Sequence, residues 1–144
     1  MEFRPYKHKA QYYETDTMKI VHHSNYIRWM EEARVEFLEK VGASFVSLED
    51  MGIISPVTEV NCRYENMMRF GDTAEIDVCL EEFGGVKMLV SYTMRNAETG
   101  EVCCEAQSRH CFIENGRIIN MKKKHPEIYA KFLPHIGEHG EMKL

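Results

Sequence analysis

The residues best suited to chemistry fall in one stretch, Tyr12-Tyr13-Glu14-Thr15-Asp16-Thr17-Met18-Lys19-Ile20-Val21-His22-His23-Ser24-Asn25-Tyr26, where a carboxylate in a loop leads into the start of a helix. The first N–H groups of a helix have no acceptors within it and carry the positive end of its dipole, so they can polarise a carbonyl or hold an oxyanion. A carboxylate opposite them, Asp16, can attack that carbonyl or activate a water against it. Together they suit cleavage of a thioester. Taken alone, Asp16 reads as a turn or cap residue, because aspartate is favoured in both places.

His22 and His23 raise the question of a metal. Adjacent histidines near a helix start point in different directions, and no third ligand stands at a recognisable spacing, so no metal site is expected. His23 is read as acting through its backbone, with the imidazole a secondary contributor near the reacting group. Ser24 reads as a helix cap rather than a nucleophile. Glu31 and Arg34, three apart, read as a pair on one helix face.

Elements must position these groups. From Tyr26 to Val41, apolar residues recur at Tyr26, Met30, Ala33, Phe37 and Val41, the spacing of one helical face, and Gly42 stops the run. Ile27, Trp29, Val35 and Leu38 widen the apolar surface beyond that stripe, so a sheet wrapped around the helix is expected. Four stretches read as its strands: Ile53 to Tyr64, Thr73 to Glu82, Val86 to Arg95 and Glu101 to Glu114. The breaks Glu82-Phe83-Gly84-Gly85 and Asn96-Ala97-Glu98-Thr99-Gly100 supply hairpin residues, so the sheet is mostly antiparallel. Ala74, Ile76, Val78 and Leu80 alternate with Glu75, Asp77, Cys79 and Glu81, one buried face against one wet face. A short strand near Lys9 to Glu14, another from Ile118 to Met121 and a helix from Pro126 through Phe132 complete the pattern. The fold class is α+β, a mostly antiparallel curved sheet around one long central helix.

Bulk properties bound the rest. The chain has 144 residues, 44% of them hydrophobic, enough for one core, and it is read as a single domain over 1–136 with a mobile tail over 137–144. A net charge of −5, with its 18 Lys and Arg dispersed apart from Lys122-Lys123-Lys124, argues against nucleic acid as a partner. No apolar run approaches the roughly 20 residues of a membrane span, and MEFRPYKHKAQYYE has no signal-peptide centre, so a cytoplasmic location is expected. Five cysteines without CxxC spacing read as reduced core residues.

The ordered residues Thr15-Asp16, Ile20-Val21, His23, Asn25-Tyr26, Glu31, Ala33, Arg34 and Glu36 resemble a family pattern. It consists of a Thr/Cys-Asp pair, a Gly-Ile/Val-Val step, a Tyr/His-x-x-Tyr helix start and a Glu-x-Ala-Arg stretch. Tyr64-Glu65-Asn66-Met67-Met68-Arg69-Phe70-Gly71-Asp72 is similar to the same family's Tyr-x-x-Pro-x-x-x-Gly-Asp segment, with Met67 where proline is usual. The family is that of the hotdog-fold acyl-CoA thioesterases, in the 4-hydroxybenzoyl-CoA thioesterase-like branch, and the resemblance covers most of residues 6 to 114. It implies a hydrolase that turns acyl-CoA and water into acid and CoA without a cofactor. Asp16 would be its nucleophile or general base, and the His23 N–H would bind the thioester oxygen.

Tyr26, Met67, Lys19 and Arg69 are candidates to contact substrate. Lys19 stands where the family commonly has glycine, a residue that allows positive φ or close approach, and it is read as facing a CoA phosphate or an acyl carboxylate. Arg69 is placed first among Arg63, Arg69, Lys87 and Arg109 for the CoA phosphates because it lies in the loop before Gly71-Asp72. Met18, Met67 and Met68 suit an adaptable acyl pocket. A sheet over one helix leaves long edges open, so a homodimer with active sites at its interface is expected, or a homotetramer built from two. Two other readings stand beside this one. A non-catalytic acyl-CoA or acyl-carrier binding module would bind without releasing thiol. A hotdog dehydratase or hydratase would need a histidine and a carboxylate placed for proton transfer at carbon.

Overall fold

A computed structural model describes residues 4–138 of the chain. Helix α1 runs Ser24–Val41. All five residues of its predicted stripe, Tyr26, Met30, Ala33, Phe37 and Val41, are buried, as are Trp29 and Leu38. Each large side chain so buried contributes about 1.5–3 kcal/mol. The covering is one-sided, since Ile27 is 41% exposed and Arg28 and Glu31 face outward. Gly42 ends the helix at φ 95°, where its N–H reaches the carbonyls of Leu38 and Glu39.

The main sheet has five strands in the order β1-β4-β5-β6-β3, with every neighbour antiparallel. They are β1 (Tyr6–Lys9), β3 (Val57–Tyr64), β4 (Thr73–Phe83), β5 (Met88–Asn96) and β6 (Val102–His110). Along β4, Ala74, Ile76 and Leu80 face the core. A register shift between Leu80 and Glu82 then resets the alternation, so that Phe83 also turns inward, against Phe112, Tyr129 and Phe132. Cys79, expected on the wet face, is buried opposite Ser91.

Several boundaries differ from expectation. The first strand is Tyr6–Lys9, and Tyr12–Glu14 forms a 3-10 turn where the strand was expected to run. The stretch from Ile53 to Tyr64 is two strands, because Ser55 and Pro56 interrupt it and proline cannot donate to a ladder. Its first piece, β2 (Ile53–Ile54), joins β7 (Ile113–Glu114) and β8 (Arg117–Ile118) in a separate small sheet.

Among the described residues three short helices accompany α1, of which one was expected. Helix α2 (Phe45–Asp50) is capped by Ser44, and α3 (Met121–Lys124) is capped by Asn120 at the end of the segment read as a strand. Helix α4 (Pro126–Phe132) has its expected bounds and begins on proline. The β4–β5 hairpin lies against α3, with the Met121 N–H on the Gly85 carbonyl at 2.7 Å. At φ 114°, Gly85 leaves no room for a Cβ beside the Asn120 side chain.

No helix among the described residues is long and apolar enough to cross a membrane. Of the tail predicted over 137–144, residues 139–144 lie outside the described residues. The Gly137 N–H donates to the Leu80 carbonyl at 2.7 Å.

Candidate active site

The loop from Thr15 to His23 is a small hairpin built by its own hydrogen bonds. Thr15 and Val21 bridge antiparallel, the Asp16 N–H meets the Ile20 carbonyl at 2.9 Å, and the Lys19 N–H meets the Asp16 carbonyl at 2.9 Å. The Val21 N–H is held by the Met68 carbonyl at 2.8 Å, which ties the loop to the segment after β3. At the tip Lys19 adopts φ 64°, the left-handed conformation that glycine takes without cost.

Asp16 is half-buried, and its Oδ1 accepts the Met18 N–H at 2.8 Å, closing an Asx turn. Among the described residues no donor reaches Oδ2. The turn reading and the chemical reading thus use different oxygens of one side chain.

Across from it stands the start of α1. His23 is the capping residue, and Ser24 is already helical. Ser24 therefore does not cap. Its hydroxyl lies 2.8 Å from His22 Nδ1, which also accepts the Ser24 N–H at 3.2 Å. The His22 and His23 rings stack at 4.2 Å. No acceptor for the His23 N–H is found among the described residues.

Tyr64, the last residue of β3, holds this end in place by donating to the His23 carbonyl at 3.1 Å while its ring packs 5.2 Å from that of Tyr26. Burial pushes both phenols up to about 12, helped at Tyr64 by the neighbouring Cys62. Both therefore stay protonated at neutral pH.

Between loop, helix start and β3 lies a cleft of about 250 Å³, lined among others by Asp16, Met18, His23, Tyr26, Tyr64 and Met67. The thioesterase-like superfamily matches residues 11–133. The chain belongs to that superfamily. A Bacillus subtilis protein provisionally named acyl-CoA thioesterase YneP is 31% identical over 126 residues, which cover 86% of this chain and 91% of that protein. The DHNA-CoA thioesterase structure from Staphylococcus aureus superposes with a TM-score of 0.86 at 26% identity, covering 93% of this chain and 91% of its own. A hypothetical protein from Aquifex aeolicus superposes with a TM-score of 0.79 at 34% identity, covering 85% and 96%. The antiparallel sheet with its packed helix is accordingly a thioesterase of hotdog type in architecture.

Four of the six residues singled out from the thioesterase pattern, Asp16, His23, Tyr26 and Met67, line this one cleft. Lys19 and Arg69 do not line it. Lys19 is exposed at the hairpin tip, and Arg69 is exposed in a turn closed by its own N–H on Asp72 Oδ2 at 2.9 Å. The expected Glu31–Arg34 pair does not form an ion pair either, since Glu31 faces solvent while Arg34 is 4% exposed with its guanidinium 4.9 Å from the Phe45 ring. That placement turns Arg34 into the core, where a helix-surface pairing rule no longer applies.

Sequence reasoning missed Tyr64 as a wall of the site, although it opens the quoted Tyr-to-Asp segment. It also missed Glu14, which is 5% exposed. Glu14 Oε1 accepts the Gln11 N–H at 2.8 Å and His8 Nε2 at 2.9 Å, and Oε2 accepts the Trp29 indole N–H at 2.8 Å. His8 Nδ1 faces Glu32 at 3.0 Å, so each nitrogen of the ring lies against a carboxylate. Burial pushes the Glu14 carboxyl up, but the bonds from Gln11, His8 and Trp29 and the His8 charge outweigh it, and the net shift is downward.

Behind Tyr64 on β3 lies Cys62, its Sγ 3.7 Å from Met30 Sδ. The neighbouring Cys104 thiol draws the Cys62 thiol below its ordinary value against the effect of burial.

Proposed function

We propose that the chain hydrolyses an acyl-CoA thioester to the free acid and CoA, with Asp16 as the reacting carboxylate and the His23 N–H as the oxyanion donor. The observation that carries this reading is that both line one cleft in a chain of the thioesterase-like superfamily. The names of the Bacillus and Staphylococcus relatives support a CoA thioester as substrate.

As general base, Asp16 takes a proton from water as the water oxygen bonds to the thioester carbonyl carbon. Negative charge gathers on the carbonyl oxygen, where the His23 N–H and the helix start stabilise it. The C–S bond then breaks, and the CoA sulfur leaves with the proton. As nucleophile, Asp16 Oδ2 itself forms the new bond and expels CoA, and water hydrolyses the resulting anhydride. Isotope-labelled water that ends up in Asp16 would mark the second route.

Met18 and Met67 at the mouth, exposed and flexible, suit the acyl group, while Lys19 and Arg69 outside the cleft suit the phosphates of CoA. Strand β3 is an edge with Val57, Val60 and Tyr64 each more than a third exposed, and it fits pairing with a second copy. Because Tyr64 is on that strand, a dimer would bring the neighbouring chain to the cleft. The same reading takes residues 1–136 as one domain, with the sheet curling about α1 and one core cluster reaching from Ala10 to Phe132.

Thiol release from short, long and aromatic acyl-CoAs, compared between the wild type and Asp16→Asn, tests the proposal. The expected result is turnover of at least one substrate and a loss of more than about a hundredfold in kcat, roughly 2.7 kcal/mol of transition-state stabilisation. No turnover, or an unaffected mutant, would overturn it.

A further inference from the structure

We infer that Glu14 is the positioning residue of this site, the group that holds the Asp16 loop and the His23 helix start in register with each other. The inference rests on the proposed thioester hydrolysis and adds a residue that touches no substrate. Glu14 stands two positions before Asp16, and it grips the helix by two independent routes.

The first route is its carboxylate. It is buried, and its three donors come from three places: His8 on β1, the Gln11 N–H at the head of the 3-10 turn, and the indole of Trp29 in the second turn of α1. Trp29 is fully buried, so the indole is an immobile anchor. His8 is fixed in turn by Glu32, which also accepts the Tyr6 hydroxyl at 2.8 Å. The second route is the Glu14 carbonyl, which accepts the His22 N–H at 2.8 Å and the Asn25 side-chain amide at 2.8 Å. Those two donors flank His23, whose N–H is the proposed oxyanion donor. Asn25 is itself buried.

The carboxylate also serves stability, because an apolar side chain here would leave the buried Trp29 indole and the Gln11 N–H without an acceptor. What the carboxylate adds is direction, because three charge-assisted bonds fix the angle between loop and helix. The chemistry depends on that angle, since a misplacement of about 1 Å between reacting groups can cost about a hundredfold in rate.

The test uses Glu14→Gln, which keeps the shape but turns an amide N–H₂ or a single acceptor toward three donors, so at least one bond is lost. Trp29→Phe removes the indole donor from the opposite side and serves where Glu14→Gln does not fold. The double variant closes the cycle. The expected result is a fall in kcat of between about tenfold and a hundredfold for each single variant, with KM within about twofold of wild type. The double variant should fall no further than the worse single one, because both break the same bond.

A folded Glu14→Gln with a lowered Tm and an unchanged kcat would overturn the inference and leave Glu14 as a purely structural residue. A rise in KM at constant kcat would overturn it equally. Asp16→Asn measured in the same assay separates the two proposals. If Asp16→Asn is inactive while the Glu14 variant keeps the wild-type kcat, only the positioning role fails. If the wild type cleaves no acyl-CoA, both fall.

Discussion

At the start of α1 the buried carboxylate of Glu14 receives a hydrogen bond from each of three donors, while further along the same helix the buried guanidinium of Arg34 has an Nη1 with no partner among the described residues. Around Arg34 the polar groups run in a chain, Tyr92 hydroxyl to Ser108 hydroxyl at 2.6 Å and Ser108 to His110 Nε2 at 2.6 Å. Ser55 Oγ, between β2 and β3, is likewise buried without a partner among the described residues. Burial drives His110, 1% exposed, down to about 3, with the Arg34 charge adding to it, and burial lowers Arg34 as well. One cluster is saturated and directional, and the other tolerates its charge at a cost. The saturated one is the cluster beside the proposed chemistry, where geometry matters more than stability.

This contrast can be broken by measurement. The largest expected effect is on acid sensitivity. Between the ordinary histidine value of 6.5 and the folded value of about 3, the unfolded chain binds a proton at His110 that the folded chain does not. Stability from this residue is therefore complete above about 6.5 and drains away as the pH falls toward 3, by on the order of a few kcal/mol. Urea unfolding of His110→Gln at pH 7 and pH 4 should show a smaller drop between the two than the wild type shows. Equal drops would mean that His110 charges in the native fold.

Next in size is Arg34→Met. An apolar side chain of similar length removes a buried charge whose Nη1 has no hydrogen-bond partner among the described residues, and should leave stability unchanged or raise it by about 1–2 kcal/mol. A loss of more than about 3 kcal/mol by the same unfolding measurement would show that Arg34 is paired after all, and the contrast with Glu14 would go. Smallest is Ser55→Ala, which deletes a hydroxyl with no protein partner and should change stability by less than about 0.5 kcal/mol. A larger penalty, read in the same urea titration, would reveal a hydrogen bond at Ser55.

Helix α1 and strands β4 to β6 were legible because a repeating apolar pattern reports burial against whatever lies opposite. Tyr26, Met30, Ala33, Phe37 and Val41 face the core wherever the sheet happens to sit. The polar strand Tyr6–Lys9 was not legible in its true place. It exists because four ladder pairs with β4 hold a short edge, and its residues are half buried and exposed in turn. Asp16 could be picked out by its position before a helix, but Glu14 looked like any surface glutamate. Its burial depends on partners from β1 and α1, up to 15 positions away at Trp29, and no local signal records that meeting. Arg34 was misread for the same reason: spacing alone pairs it with Glu31, whereas the fold turns it beneath the Phe45 ring.

Cys62 carries a practical consequence. A thiol pulled below its ordinary value offers more thiolate at neutral pH than an unperturbed one. Colorimetric reagents that score liberated CoA do so by reacting with thiolates, so the partly exposed Cys62 competes for them to the extent that it ionises. A protein-only blank, compared between the wild type and Cys62→Ser, measures that background. Ultraviolet loss of the thioester bond follows the same turnover without touching that sulfur.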